Sequence, residues 1–85
     1  MRDQRIPPAS NEPPAQDILE HGLLHVVLAH HPAQLTFDEL VRALHEERFL
    51  VEDAVAALVG DGLLHRHGEF IVPSRAAVRF DELGS

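Results

Sequence analysis

Leu50–Pro73, LVEDAVAALVGDGLLHRHGEFIVP, changes its apolar period halfway along, and the fold turns on that change. In its first half Val51, Val55, Leu58 and Val59 recur at helical spacing. Gly60 and Gly62 follow, and they supply the left-handed positions that end a helix. Beyond them the pattern shortens. Leu63 to Arg66 and Glu69 to Val72 form two runs around His67-Gly68, a pair suited to a two-residue turn with positive φ. With Arg66 facing Glu69 across that turn, Leu64 faces Ile71 on the same side of the hairpin. His65 with Phe70, and Leu63 with Val72, then share the opposite side. The stretch predicts a helix, a glycine-marked stop and a tight hairpin.

Upstream, Gln34 to Thr36 reads as a very short strand that runs straight into a helix start. Thr36 with Glu39 makes a capping box, and Leu35 with Leu40 has the spacing of a hydrophobic staple. That helix is predicted to run to about Glu47, burying Leu40, Val41 and Leu44, with Asp38 and Arg42 paired at i,i+4. Arg48 to Leu50 is the expected turn into the Val51–Val59 helix, with Phe49 and Leu50 as wedges in the core. Further back, Ala15 to His30 reads as a helix between a proline pair and Pro32. Leu19, Leu23, Val26 and Val27 form its inner face, and Leu24 and Leu28 widen the apolar arc to roughly 200°. The simplest cover for that surplus is the C-terminal helix of the same chain. The sharper reading is a homodimer seam centred on Leu24 and Leu28.

Downstream, Ser74 is the predicted N-cap of a last helix. Ala76, Ala77, Phe80 and Leu83 make its inner face, with Arg75 and Arg79 outside. Met1 to Pro14 carries four of the six prolines and almost no apolar content, the composition of a disordered tail. The domain is therefore placed at residues 15–85.

The order is α-β-α-α-β-β-α, a mainly helical α+β domain with one small hairpin. Together with the GDGLL junction and the proline-terminated hairpin, it resembles the winged helix-turn-helix domains of bacterial MarR-type and ArsR-type transcription regulators. In those regulators the second helix of the motif enters the major groove, and the hairpin tip reaches toward the backbone or minor groove. Carried over, the resemblance makes Val51–Val59 the reading helix, with Glu52, Asp53 and Ala56 outward. It makes Arg66, His67, Gly68 and Glu69 the wing. The same architecture also serves as a protein-interaction module, so it leaves function to the surface chemistry.

That chemistry is acidic. Fourteen Asp and Glu oppose seven arginines, with no lysine, for a formal charge of −7. The first fourteen residues sum to zero, so the whole excess lies on the domain. A nucleic-acid module normally shows the reverse, because phosphate contacts need a basic face. The reading helix holds no Arg, Lys, Asn, Gln, Ser or Thr, the donors that read bases and grip phosphates. Arg66 is expected to be neutralised by Glu69. Arg75 and Arg79, with Arg42 or Arg48, form the one candidate basic patch.

Other chemistries find little support. There is no cysteine, so disulfides, thiolate catalysis and cysteine-ligated zinc are excluded. No nucleophile, base pair or glycine-rich phosphate loop is recognisable, and no enzyme is expected. Seven histidines include His21 with His25 at i,i+4, His65 with His67, and His30-His31. No carboxylate completes a metal-ligand spacing, so neither a metal nor any other cofactor is expected. The N-terminus lacks a signal-peptide pattern, and the longest apolar run falls far short of the roughly 18 residues of a membrane span. Cytoplasmic location is the default, with no membrane contact and no small-molecule ligand expected. The leading functional expectation is a non-enzymatic regulatory module acting through protein contacts, by homodimerisation or docking on a partner protein. The alternative is a DNA-binding transcription regulator, which the charge disfavours.

Overall fold

A computed structural model describes residues 15–84, and the stretch read as a disordered tail lies outside them. The elements are α1 (Ala15–His30), β1 (Leu35–Thr36), α2 (Phe37–Leu44), α3 (Arg48–Gly60), β2 (Leu64–His67), β3 (Phe70–Pro73) and α4 (Arg75–Leu83). The order is the one the sequence predicts. The strands form one antiparallel sheet in the order β1-β3-β2.

The start of α2 forms as read. Thr36 Oγ1 accepts from the Glu39 N–H at 3.1 Å, and Glu39 Oε1 accepts from the Thr36 N–H at 2.8 Å. The far end of α2 corrects the prediction. The helix stops at Leu44 because His45 adopts the left-handed conformation, φ 55°. Glu47 is then an extended N-cap, and α3 begins at Arg48 rather than Val51. Phe49 therefore sits on the first turn of a helix, 61% exposed, and is no core wedge.

The end of α3 is a Schellman motif. The Leu63 N–H donates to the Leu58 carbonyl at 2.9 Å, and the Gly62 N–H to the Val59 carbonyl at 3.0 Å. Gly62 carries the positive φ, 79°, whereas Gly60 is ordinary helix. One glycine suffices where the sequence offers two.

The hairpin also departs from the predicted pairing. Arg66 stands opposite Ile71, His65 opposite Val72 and Leu64 opposite Pro73, so the turn is Gly68-Glu69. Gly68 has φ 61° and Glu69 does not share it, the pattern of a type II′ turn with glycine first. A shift of two residues preserves the alternation of faces, so Leu64 and Ile71 still point inward together and both are buried.

The core unites Leu23 and Val27 of α1, Phe37 and Leu40 of α2, Val51, Val55 and Leu58 of α3, and Leu64 and Ile71 of the hairpin. Ser74 caps α4 by accepting from the Ala77 N–H at 3.1 Å, and its own N–H donates to the Leu63 carbonyl at 2.9 Å. The predicted inner face of α4 is corrected too. Ala77 is buried, but Phe80 and Leu83 are 77% and 70% exposed. The first turn of α4 is the part that buries a side chain, and its later apolar side chains stay in solvent. No helix among the described residues is long and apolar enough to cross a membrane.

Candidate functional site

The surface carried over as the reading face is built by three elements around one ring. Phe37, the first residue of α2, is buried, and its ring lies under two guanidiniums. Arg48 Cζ from the start of α3 is 4.9 Å from the ring centroid, and Arg66 Cζ from β2 is 5.1 Å from it. Each guanidinium also holds a carboxylate. Arg48 pairs with Asp38, and Arg66 pairs with Glu52. The Phe37 N–H donates to the Glu69 carbonyl at 2.9 Å, so the hairpin turn is tied to the head of α2.

These contacts correct two pairings. The i,i+4 spacing points Asp38 at Arg42, but Asp38 binds Arg48 from the next helix. The predicted turn sets Arg66 against Glu69, but the two-residue shift frees it from that side chain and Glu52 takes it instead. Neither partner can be found from spacing along the chain, because both pairs bridge separate elements.

The groove beside Phe37 has a volume of about 480 Å³. Arg42, Arg48 and Arg66 line it together with Asp38, Glu39 and Glu69. Counting Glu52, which holds Arg66, its carboxylates outnumber its guanidiniums. Arg42 therefore gathers with Arg48 and Arg66, while Arg75 and Arg79 lie on α4 outside this groove. Of the arginines expected to form a basic patch, Arg75 and Arg79 with Arg42 or Arg48, only Arg42 and Arg48 line this groove. Glu52, Asp53 and Ala56 are all exposed along the outer side of α3, as the periodicity requires, and so are Arg66, His67, Gly68 and Glu69 of the wing.

The energies at this surface are small. Exposed ion pairs contribute about 0–1 kcal/mol each, and exposed cation–π contacts about 0.5–1 kcal/mol. Such contacts do not hold the domain together. They are strong enough to fix where two long side chains point, and both point at partners inside the chain.

A second groove, of about 330 Å³, runs between α1 and α4. Leu24 and Leu28 line it from α1, flanked by His21 and His25, with Leu63, Ala77 and Phe80 opposite. Leu24 and Leu28 are half-buried, so α4 covers the apolar surplus of α1 only in part. Among the described residues no three His, Asp or Glu side chains are grouped to hold a metal ion.

Among solved structures the chain is similar to MepR, a transcription regulator of the Staphylococcus aureus multidrug efflux pump MepA. The TM-score is 0.68 and the identity 21%, over 79% of this chain and 51% of that one, so the chain spans about half the length of MepR. The likeness shows a winged helix-turn-helix fold of the MarR-like kind, with the hairpin as its wing. No protein-family model and no curated protein matches the chain.

Proposed function

We propose that this chain is a non-enzymatic winged-helix module of transcription control that acts through protein contacts and does not grip DNA unaided. The observation that carries this reading is the pairing of Arg48 with Asp38 and of Arg66 with Glu52. Arg48 belongs to α3 and Arg66 reaches it through Glu52, and each is neutralised within the chain. A phosphate backbone approaching α3 meets Glu52 and Asp53, with no side-chain donor on that helix beyond Arg48. The exposed apolar side chains along α1 and α4 supply the contact surface that the reading needs.

A second reading is direct DNA binding as a transcription regulator. The likeness to MepR favours it over the first, since the fold and the regulator description agree. The convergence of Arg42, Arg48 and Arg66 beside the wing adds a specific surface for it, once their carboxylates are displaced.

Fluorescence anisotropy of a labelled random duplex at low salt separates the two. Low salt is the most permissive condition for phosphate contacts, because counterion release then favours binding most. The protein-contact reading expects a flat titration into the tens of micromolar. Binding that weakens steeply with added salt would establish the second reading in its place.

A further inference from the structure

The outward line of α3 joins an unburied aromatic ring to carboxylates that hold no cation. At helical spacing Phe49, Asp53, Ala56 and Gly60 stack along the side opposite Val51, Val55 and Leu58, and all four are exposed. Phe49 is 61% exposed, with Val59 at the flank of the same line 38% exposed. The ring takes no part in the core. Beyond it the line is shallow. Ala56 carries a single methyl, and a Cβ placed at Gly60 would meet nothing, so another chain has room to approach the α3 backbone closely.

The charge around the ring has one sign. Glu46 and Glu47 precede Phe49, and Glu52 and Asp53 follow it by one turn, all exposed. The arginines nearby are already engaged, Arg48 by Asp38 and Arg66 by Glu52. Among the described residues no ion pair reaches Glu46, Glu47 or Asp53. This surface is separate from the apolar strip of α1 and α4, whose polar rim mixes His21 and His25 with Asp81. The α3 face, by contrast, selects its occupant by charge. A phosphate backbone is repelled, and a second copy, itself of net charge −7, brings the same acids to the contact. A cationic segment with apolar side chains gains from both the ring and the carboxylates, and a buried aromatic ring is a common anchor of such contacts.

We propose that the outer face of α3 docks a basic amphipathic helix of a partner protein. Its apolar side chains lie against Phe49 and Ala56, and its Lys or Arg groups meet Asp53 and the Glu46–Glu47 pair. The proposal rests on the protein-contact reading above and names the chemistry of the partner.

The test is the anisotropy of a short fluorescein-labelled peptide of leucine and lysine, patterned as an amphipathic helix, titrated with the full chain. Micromolar binding is expected. Phe49→Ala should weaken it at least about tenfold, and Asp53→Lys should weaken it and reduce its salt dependence. Phe80→Ala, on the other face, should leave it unchanged, and the same pattern in leucine and glutamate should not bind. Phe49 and Asp53 are exposed, so the circular dichroism spectra of these variants should match that of the unaltered chain. A flat titration with the lysine peptide overturns the proposal, as does binding indifferent to Phe49→Ala, equal loss with Phe80→Ala, or equal binding of the glutamate peptide. Amide shifts along α3 that change with the concentration of the chain alone would put a second copy there and overturn it too. Duplex binding in the earlier anisotropy experiment would instead overturn the protein-contact reading, whatever the peptide does.

Discussion

The α3–wing face and the α1–α4 face sit on one small core and have satisfied themselves differently. On the first, every long cation that converges on Phe37 except Arg42 holds a carboxylate of the same chain. On the second, a wide apolar strip ends in Phe80 and Leu83 with little of the chain laid over them. Polar groups can finish their interactions in water or with each other at small cost. Apolar surface cannot, and each exposed square ångström forgoes about 25 cal/mol. The face left incomplete is therefore the one with most to gain from a partner.

A short series of substitutions would break or sharpen that contrast. Leu64 is fully buried beneath both faces, and Leu64→Ala should cost about 2–5 kcal/mol in urea unfolding. A cost below about 1 kcal/mol would mean that the two faces do not share one core. Gly62→Ala forces a side chain onto a left-handed backbone at the junction between α3 and the wing. About 1–2 kcal/mol should be lost there, against a negligible loss for Gly60→Ala in the same assay. Ser74→Ala removes the cap that fixes α4, and a loss of about 1 kcal/mol is expected in thermal melts. If α4 were instead held by Phe80 and Leu83, that substitution would be nearly silent.

The smallest effect on stability, and the most informative about binding, belongs to Asp38→Asn with Glu52→Gln. Removing the two carboxylates should change stability by no more than about 1 kcal/mol, since both pairs are exposed. It should also release Arg48 and Arg66. Low-salt anisotropy should then show duplex binding, abolished by salt, where the unaltered chain gives a flat titration. No gain in affinity would mean that these ion pairs do not govern the surface.

The sequence carries the local devices of this fold well. The Thr36–Glu39 capping box, the glycine stop, the Ser74 cap and the inward facing of Leu64 and Ile71 are all specified by residues within a few positions of one another. What it carries poorly is whatever depends on two elements meeting. The partner of Arg66 lies fourteen residues away on another element, and that of Arg48 lies ten away. The hairpin pairing differs by two because alternation constrains only the parity of a register, while glycine chemistry chooses the turn. The helix boundary at His45 is hidden because a histidine rarely marks a left-handed cap, where glycine or asparagine is the usual signal. Phe80 keeps good helical spacing, but spacing along a helix does not say how far its neighbour extends. The grooves follow from such meetings, so Phe37 gives no sign of its place beneath two arginines.

The strand order β1-β3-β2 has a consequence for life at high concentration. A sheet invites aggregation through its unpaired edges, and here one edge is the two-residue β1 and the other the four-residue β2. The outer strand carries His65, Arg66 and His67 in the exposed positions, a hydrophilic border that gives a foreign strand little apolar surface to lie against. Runaway, amyloid-like stacking is thereby discouraged in the folded state. Whatever assembly this chain undertakes is left to its helices, where contact ends when the apolar strip is covered.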